Sequence, residues 1–251
     1  VVEPGRSRPG TGESAGFRGE CGHYSIKNHG NGKRPICYTS VMRFLVTAGP
    51  TREFIDPVRF LSNPSTGKMG FAVAAAARAA GHPVVLVAGP VVRATPPGVR
   101  RVDAVSARDM LAAVRRELPK AEVLVMTAAV ADWRPARTAA KKLKKAAMKP
   151  VLRLVRNPDI LKSLRPFKGR RIFVGFAAET GDPAREAARK CREKGLDLVV
   201  ANDVSAAGSG FGTETDKATF VFPDGTLRPL PLLSKRAVAA RIVKFAEAMR
   251  P

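Results

Sequence analysis

Short apolar runs and longer helical stretches alternate along the chain from Met42 onward. Each run is bounded by turn residues and is typical of a strand in an α/β domain. Apolar runs of this kind, such as the first one, indicate strands buried on both faces of a sheet. The predicted strands are Arg43–Ala48, Val84–Ala88, Glu122–Thr127, Val151–Val155, Arg171–Phe176 and Leu196–Ala201.

Helical stretches fall between these strands. Each begins near a serine, threonine, aspartate or asparagine, which are the residues that cap helix N-termini, and proline marks the first turn of two of them. The first helix is rich in alanine and stops at Gly81. The predicted starts are Thr66, Ser106, Asn157-Pro158, Asp182-Pro183 and Ser234.

The last part of the chain has a different pattern. Lys217–Phe222 and Leu227–Pro231 flank Asp224-Gly225, which is a hairpin signal. The preceding alternation of strands and helices implies a mostly parallel sheet with helices on both faces. We therefore predict one Rossmann-like α/β domain over residues 42–251, with a C-terminal β-hairpin. Residues 1–41 have eight glycines and no apolar period, so we predict a disordered leader there.

Composition excludes several classes of protein. No apolar run approaches the roughly 18 to 20 residues that span a bilayer, so we expect no membrane association. The N-terminal residues do not form the apolar segment of a secretory signal. Cys21, Cys37 and Cys191 lie far apart, so neither a disulfide framework nor a structural zinc site is supported. We expect a cytoplasmic protein.

The charge balance favours anionic ligands. The chain has 44 Lys and Arg against 21 Asp and Glu, a formal net charge of +23, which suits either nucleic acid or small phosphorylated substrates. Nine basic residues and no acidic ones lie between Trp133 and Pro158. A solvated basic face without any ligand is the plain alternative for such a run.

In an open α/β sheet, ligands bind beyond the carboxyl ends of the strands, so the loops there are the first candidates. The loop after the first strand contains Gly49 and Ser65-Thr66-Gly67-Lys68, which sets hydroxyls, amides and a cation at a helix N-terminus. That combination suits a phosphate group. Serine and threonine are also ordinary N-caps, and neither a GxxxxGK[ST] nor a GxGxxG motif occurs in this loop.

Two later loops add candidate contacts. After the strand that ends at Thr127, Ala128 and Ala129 leave room for a bulky ligand, and Asp132 can accept a hydrogen bond from a base or ribose, or merely cap a turn. The lysine run 141–145 has no strong apolar period and is predicted to be a mobile loop. Such a loop can close over a triphosphate and neutralise charge that develops at phosphorus.

Seven motifs in this order and spacing carry a resemblance to a known family: AGPTRE, DPVRFLSNPSTGKMG, AAVADW, KLKK, NPDIL, VGFAAET and ANDV. The chain resembles phosphopantothenoylcysteine synthetase, a ligase of the coenzyme A pathway, from about Met42 to Arg250. In bacteria this ligase often follows a flavin-dependent decarboxylase in one bifunctional chain. Only 41 residues precede Met42, so the expectation is a stand-alone synthetase with no flavin and with the decarboxylase as a separate protein.

The resemblance implies a two-step reaction. The carboxylate of 4'-phosphopantothenate attacks the α-phosphorus of CTP, and the amine of L-cysteine then displaces CMP from the acyl-cytidylate. A carboxylate does not acylate an amine directly at neutral pH, so the enzyme has to orient the reactants and stabilise anionic charge. Magnesium is implied with CTP. It is expected to be coordinated mainly by the substrate phosphates, and no residue is assigned as a metal ligand. A homodimer is also implied.

The resemblance further implies roles for individual residues. Lys142 is expected to act in forming the acyl-cytidylate, and Asn63 in holding its acyl portion for conversion with cysteine. The other implied nucleotide contacts are Met126, Thr127, Ala128, Asp132, Pro158, Asp159, Ile160, Leu161, Phe176, Lys190 and Lys194. The other substrate contacts are Arg59 and Ala129, on the resemblance, and Ser65, Thr66, Gly67 and Lys68, on the helix-terminus argument.

Three alternative functions differ from this interpretation in the ligand that the protein would bind. An ATP-using ligase would have the same chemistry; the KLKK loop and the AAVAD context favour the CTP type, and nucleotide competition decides between them. A nucleic-acid-binding module would use the same basic residues, but the run contains no aromatic residue after Trp133 for base stacking, so no specific nucleic acid is expected. An NAD(P)-dependent reductase is disfavoured, because both tyrosines, Tyr24 and Tyr38, precede the domain and no Tyr-xxx-Lys pair occurs in it.

Overall fold

The computed structural model describes residues 41–144, 151–179, 183–203, 208–210 and 212–250. These residues all lie within one unit, Ser40–Pro251. The predicted disordered leader therefore lies outside the described residues, apart from Val41. Lys145, the last residue of the lysine run, and Asp182 also lie outside them.

The described strands and helices follow the predicted alternation. The strands are β1 (Phe44–Ala48), β2 (Arg52–Phe54), β3 (Phe60–Ser62), β4 (Val84–Ala88), β5 (Arg100–Asp103), β6 (Val123–Met126), β7 (Trp133–Pro135), β8 (Leu154–Arg156), β9 (Ile172–Glu179), β10 (Leu198–Asp203), β11 (Thr215–Asp216), β12 (Ala218–Val221), β13 (Leu227–Pro229) and β14 (Leu233–Ser234). The helices are α1 (Lys68–Ala79), α2 (Ala107–Glu117), α3 (Ile160–Leu164), α4 (Pro183–Lys194) and α5 (Lys235–Ala248), with short 3-10 turns at Leu118–Lys120 and Arg165–Phe167.

The central sheet has eight strands in the order β13-β12-β10-β9-β6-β1-β4-β5. The six strands from β10 to β5 are parallel, whereas β12 and β13 pair antiparallel at one edge. Numbered along the chain, the parallel strands run 3-2-1-4-5-6 from β5 to β10, which is the doubly wound order. This confirms the predicted fold class and puts the reversal of strand order between β1 and β6.

Helices cover both faces of the sheet. Phe44 and Val46 of β1 belong to one apolar cluster, which includes residues of α1 and α5. Leu45, between them, belongs to a second cluster with residues of α2, α3 and α4. Successive side chains of a strand point to opposite faces, so burial of both faces requires an unbroken apolar run.

Two predicted helix starts are capped by side chains. Ser106 and Asp109 form a reciprocal capping box at α2, and the Ser234 hydroxyl accepts a hydrogen bond from the Ala237 amide at α5. The other two starts that can be compared need correction. Asp159, and not Asn157, caps α3, and α1 begins at Lys68 after Gly67, whose φ is 74° and which has no side-chain cap.

The prediction for Val151–Val155 was wrong in position and in partner. The strand there is β8, which pairs antiparallel with β7 in a separate two-stranded sheet. The hydrophobic pattern also did not predict β5 or the β2–β3 hairpin. None of these short strands is an unbroken apolar run like those of the central parallel strands.

Candidate functional site

The switch point of the sheet is the place between β1 and β6 where the strand order reverses. Two hydrogen bonds connect Thr47 of β1 to the residues that follow β6. The Thr127 hydroxyl donates to the Thr47 oxygen at 2.6 Å, and the Ala128 amide donates to the Thr47 hydroxyl at 3.2 Å. Beyond them, the Ala129 amide donates to the Gly49 oxygen at 2.9 Å. The two loops therefore stay paired for a few residues past the sheet, where an open α/β sheet binds its ligand.

A cavity of about 320 Å³ opens at this position. It is large enough for part of a nucleotide or another small ligand. The structure brings together here eleven residues that the sequence analysis predicted: Asn63, Ser65, Thr66, Gly67, Lys68, Thr127, Ala128, Ala129, Asp132, Phe176 and Lys190.

The N-terminus of α1 forms one wall of the cavity. Gly67 enters the helix with φ of 74°, a conformation that favours glycine, and its amide lies 3.4 Å from the Ser65 hydroxyl. The first intrahelical bond runs from the Phe71 amide to the Gly67 oxygen. The amides before Phe71 have no carbonyl within the helix to bond, so this end suits an anion.

Lys68 supplies a charge beside this helix end and also joins it to another loop. Its Nζ lies 2.5 Å from Glu214 Oε1 and 2.6 Å from the Gly212 oxygen. The hydrogen bond from Lys68 holds the pKa of Glu214 below its ordinary value. An incoming phosphate would therefore compete with the exposed carboxylate of Glu214 for the Lys68 ammonium group.

Gly70 allows α1 to lie directly on the switch point. A Cβ atom at this position would lie 2.5 Å from both Ala48 Cβ and Thr127 Oγ1, and 2.7 Å from the Thr47 oxygen. Only a residue without a side chain fits at such distances. This requirement, which the sequence analysis did not identify, sets how close the helix N-terminus comes to the β1 and β6 loops.

Asn63 reaches the cavity from the end of the β2–β3 hairpin. Its Nδ2 donates to the Ala129 oxygen at 3.1 Å. The preceding Ser62 hydroxyl donates to the Thr51 oxygen at 2.7 Å, and the Thr51 hydroxyl accepts from the Ala131 amide at 3.0 Å. These bonds attach the hairpin to the β6 loop and orient the Asn63 amide group at the cavity wall.

Asp132 lies on the opposite part of the β6 loop, and its carboxylate has no hydrogen-bond partner among the described residues. Its backbone oxygen accepts a 2.8 Å hydrogen bond from the Asn157 amide, and Asn157 Nδ2 donates to the Ala131 oxygen at 2.8 Å. Asn157 thus links the AAVADW and NPDIL motifs. Its side chain supports the β6 loop and does not cap α3.

A second cavity, of about 430 Å³, lies between α3 and α4, and Lys190 lines both cavities. Five cations and two acids line it: Lys162, Arg165, Arg189, Lys190, Lys194, Asp159 and Glu193. Asp159 Oδ1 accepts from the Lys162 backbone amide, and Asp159 Oδ2 lies 2.9 Å from Lys194 Nζ. Burial opposes ionisation of Asp159, yet its hydrogen bonds with Lys162 and Lys194 keep its pKa below the ordinary value.

The remaining predicted residues do not line the first cavity. Met126 and Ile160 are buried in the apolar core, Leu161 packs against that core, and Pro158 is half-buried. Lys142 is exposed in the loop after β7. Arg59 forms an ion pair with Asp56 at 2.6 Å.

A buried polar group that the sequence analysis missed forms another wall. Lys235 Nζ lies 2.7 Å from Asp216 Oδ1 and donates to the Gly210 oxygen at 2.9 Å. Asn202 Nδ2 also donates to Asp216 Oδ1, at 2.9 Å, and Asn202 Oδ1 accepts from the Ser209 hydroxyl. Asn202 lies in the ANDV motif, which was the available signal. The cavity residues that were missed are Met69, Gly70, Val130, Ala177, Ala178, Asn202, Gly210, Asp216 and Lys235.

No group of three or more His, Cys, Asp or Glu side chains in the described part of the chain could hold a metal ion. No helix in the described ranges is both long and apolar enough to cross a membrane.

The fold and the site define a Rossmann-like α/β domain with a cavity at the switch point of its central sheet. Comparison with known proteins narrows the class. The chain belongs to the family described as the DNA/pantothenate metabolism flavoprotein C-terminal domain, which matches residues 40–249.

Curated relatives share nearly half of the aligned residues. The Coenzyme A biosynthesis bifunctional protein CoaBC of Bacillus subtilis (strain 168) is 46% identical over 206 residues, which cover 82% of this chain and 51% of the relative. The CoaBC protein of Escherichia coli (strain K12) is 44% identical over 205 residues, or 80% and 50% of the two chains. The chain thus spans about half the length of these relatives.

Solved structures share the fold. The C-terminal domain of a CoaBC protein has a TM-score of 0.71 and 44% identity, and the match covers 83% of this chain and 97% of that one. A complex of a Cab2 mutant with phosphopantothenate-cysteine has a TM-score of 0.68 at 16% identity, covering 82% and 86% of the two chains, which supports the fold alone.

Proposed function

We propose that the protein is a ligase that joins 4'-phosphopantothenate to L-cysteine through an acyl-cytidylate formed from CTP. One observation carries the proposal: a single cavity at the switch point gathers Asn63, the Ser65–Lys68 helix terminus and Asp132. The CoaBC relatives, which are named for coenzyme A biosynthesis, support the same reaction.

The phosphate of 4'-phosphopantothenate is assigned to the N-terminus of α1. Amides at the start of this helix and the Lys68 ammonium group provide donors and positive charge at one place. The pantothenate arm would then extend toward Asn63, which lines the same cavity. Ser65 and Thr66 add hydroxyl groups beside the phosphate.

The nucleotide is assigned to the β6 loop and the neighbouring basic cleft. Small side chains at Ala128 and Ala129 leave space next to the Asp132 carboxylate, which can accept a hydrogen bond from an exocyclic amine or a ribose hydroxyl. Lys190 lines both cavities, so the triphosphate can extend from the first cavity toward Lys194. This arrangement is compatible with CTP and must be tested against ATP.

In the first step, a carboxylate oxygen of phosphopantothenate bonds to the α-phosphorus, and the bond from that phosphorus to pyrophosphate breaks. Lys142 is assigned to offset the negative charge at phosphorus, and its exposed side chain can extend from the loop toward the nucleotide. Magnesium would act as a counter-ion on the nucleotide phosphates. The described residues offer no carboxylate cluster as a protein cage, so no residue is assigned as its ligand.

In the second step, the cysteine amine attacks the acyl carbonyl, the bond to CMP breaks, and the amine loses a proton. Asn63 is assigned to hold the acyl group in line for this attack, because its amide is already oriented by the Ala129 oxygen.

The homodimer is part of the proposal. Exposed apolar side chains on β3 and β8, such as Phe60 and Leu154, supply a surface for a second copy.

Pyrophosphate release from CTP and 4'-phosphopantothenate, with and without cysteine, tests the proposal directly. We expect release in both cases, peptide-bond formation only with cysteine, and a lower kcat/KM when ATP replaces CTP. Strong salt-dependent binding of DNA or RNA without any pyrophosphate release would instead favour the nucleic-acid-binding alternative. Three further expectations stay predictions: a stand-alone form, a cytoplasmic location and the absence of flavin. The visible absorption spectrum of the purified protein tests whether flavin is bound.

A further inference from the structure

The turn of the β2–β3 hairpin contains a buried carboxylate that the proposed reaction does not use. Asp56 is fully buried, and its Oδ1 accepts from the Val58 and Arg59 amides, both at 2.9 Å. Its Oδ2 accepts from Arg59 Nη2 at 2.6 Å and from Arg59 Nε at 3.0 Å. The Arg59 guanidinium holds the pKa of Asp56 well below its usual range, so the group is ionised at neutral pH.

The same two side chains also hold the lysine loop. The Leu143 amide donates to Asp56 Oδ2 at 3.2 Å, and Arg59 Nη2 donates to the Leu143 oxygen at 2.9 Å. Both backbone polar groups of Leu143 are therefore bound to one ion pair. The Leu143 amide belongs to the peptide plane that it shares with Lys142, so this plane is fixed as well.

A second attachment joins the loop to the hairpin at residues that precede Lys142 in the chain. The Ala139 amide donates to the Ile55 oxygen at 2.9 Å, and the Thr138 hydroxyl donates to the Phe54 oxygen at 2.9 Å. Lys142 thus lies in the short span between two attachments to the same hairpin, at residues 139 and 143. The other end of that hairpin leads into Asn63, which lines the cavity.

We infer that Asp56, with Arg59, is a positioning residue that fixes the Lys142 loop to the hairpin carrying Asn63. This inference rests on the proposed function, since it assigns the role through Lys142. The burial of Asp56 excludes contact with a substrate in this arrangement, and its hydrogen bonds lead to the backbone of the loop. Arg59 acts here through Leu143, whereas the family resemblance implied a direct substrate contact.

The test is Asp56→Asn, which keeps the shape of the side chain but removes its charge. We expect faster hydrogen exchange in the peptide that contains Leu143 and faster tryptic cleavage after Lys142, because the loop is released. Pyrophosphate release should slow by about tenfold or more, since a small displacement of Lys142 weakens its interaction with the phosphates. The control is Thr138→Val, which removes the bond to Phe54 and leaves the Leu143 contacts intact.

The two half-reactions separate positioning from a general structural role. Accumulated acyl-cytidylate should react with cysteine at the wild-type rate in the Asp56→Asn protein, because that step does not use Lys142. If this variant fails to fold, Leu143→Pro removes the loop amide that donates to Asp56 Oδ2 and leaves Asp56 itself unchanged, and the same slowing of pyrophosphate release is expected.

Two results would overturn the inference. One is pyrophosphate release at the wild-type rate in a folded variant that lacks the Leu143 bond. The other is an equal slowing of both half-reactions. Failure of the proposed function is recognised separately, because the wild-type protein would then release no pyrophosphate from CTP, while exchange at Leu143 would still show whether Asp56 holds the loop.

Discussion

The hydroxyl of Thr127 donates a hydrogen bond to the backbone oxygen of Thr47 at 2.6 Å, at the carboxyl ends of the paired strands β1 and β6, where the sheet reverses its order. Gly70 of α1 lies directly above this bond. The Thr127 hydroxyl and the absence of a side chain at Gly70 therefore set the positions of the α1 N-terminus and the two strand ends around the cavity.

Replacing Gly70 with alanine should disturb that arrangement. The new Cβ would come within 2.5 Å of Ala48 Cβ and Thr127 Oγ1, so the helix must shift. We expect a loss of about 1–3 kcal/mol in the free energy of unfolding, measured by urea denaturation, despite the higher helix propensity of alanine. Gly212→Ala is the control, because a Cβ there meets nothing within 4 Å. Equal stability of both variants would contradict the prediction.

Asn63→Asp should separate the two half-reactions. The variant replaces the Nδ2 donor that faces the Ala129 oxygen with an acceptor, so the side chain turns away from its present orientation. We expect acyl-cytidylate to form and accumulate while amide formation stalls. Rapid-quench analysis of the bound intermediate after cysteine addition measures this. Normal turnover with cysteine would remove Asn63 from the assigned role.

Lys142→Gln should abolish the first half-reaction. The amide lacks the charge that offsets the phosphates, and the loss of one such group costs about 10²–10³ in rate. Pyrophosphate release without cysteine is the measurement. Lys141→Gln and Lys144→Gln are matched controls, because both lysines are exposed in the same loop. A rate close to the wild-type value in the Lys142 variant would refute the site assignment even if the ligase activity is present.

Lys235→Met should destabilise the domain more than other lysine substitutions on α5. Lys235 and Asp216 are both buried and 2.7 Å apart, so removal of the cation leaves a buried carboxylate without its counter-charge. We expect a loss of about 3 kcal/mol in the free energy of unfolding. Lys244→Met on the exposed face is the control. Addition of Asp216→Asn should restore part of the loss, and a purely additive result would argue against the pair.

Stability should also fall at alkaline pH because of Cys191. Burial raises the pKa of this thiol from 9.0 to about 11. The unfolded chain then loses the proton at lower pH than the folded protein, so unfolding becomes easier as pH rises from about 9 to about 11. We expect the free energy of unfolding, measured by urea denaturation, to fall more steeply with pH over this range in the wild type than in Cys191→Ala. Equal pH dependence of the two proteins would show that the thiol makes no contribution.

Much of the parallel sheet could be predicted because its strands obey a local rule. Burial on both faces forces continuous apolar runs in β1, β4, β6, β9 and β10, and the pattern alone marks them. β5 escaped detection because its sequence, RRVD, is mostly charged and lies at the sheet edge. The run at Val151–Val155 was misleading because four of its five side chains are apolar, yet they do not enter the core, and Val151 is 80% exposed.

The site could be predicted in part. Residues next to recognisable turns and strand ends, such as Ser65–Lys68 and Asp132, were found because the doubly wound fold fixes which loops meet. Lys235 and Asp216 are 19 residues apart and resemble ordinary surface charges in the sequence. Their pairing depends on the antiparallel return of the chain after β10, which no local pattern encodes.

The sequence by itself determined the alternation of buried strands and helices, most of the apolar core and the loops that carry basic and hydroxyl groups, since these follow from hydrophobic periodicity and turn chemistry. Only the tertiary structure decided which distant groups touch. The attachment of Leu143 to Asp56, the pairing of Lys235 with Asp216 and the close approach at Gly70 each join residues far apart in the chain or set a contact distance. Such contacts depend on how the elements pack in space, and packing is a property of the whole fold.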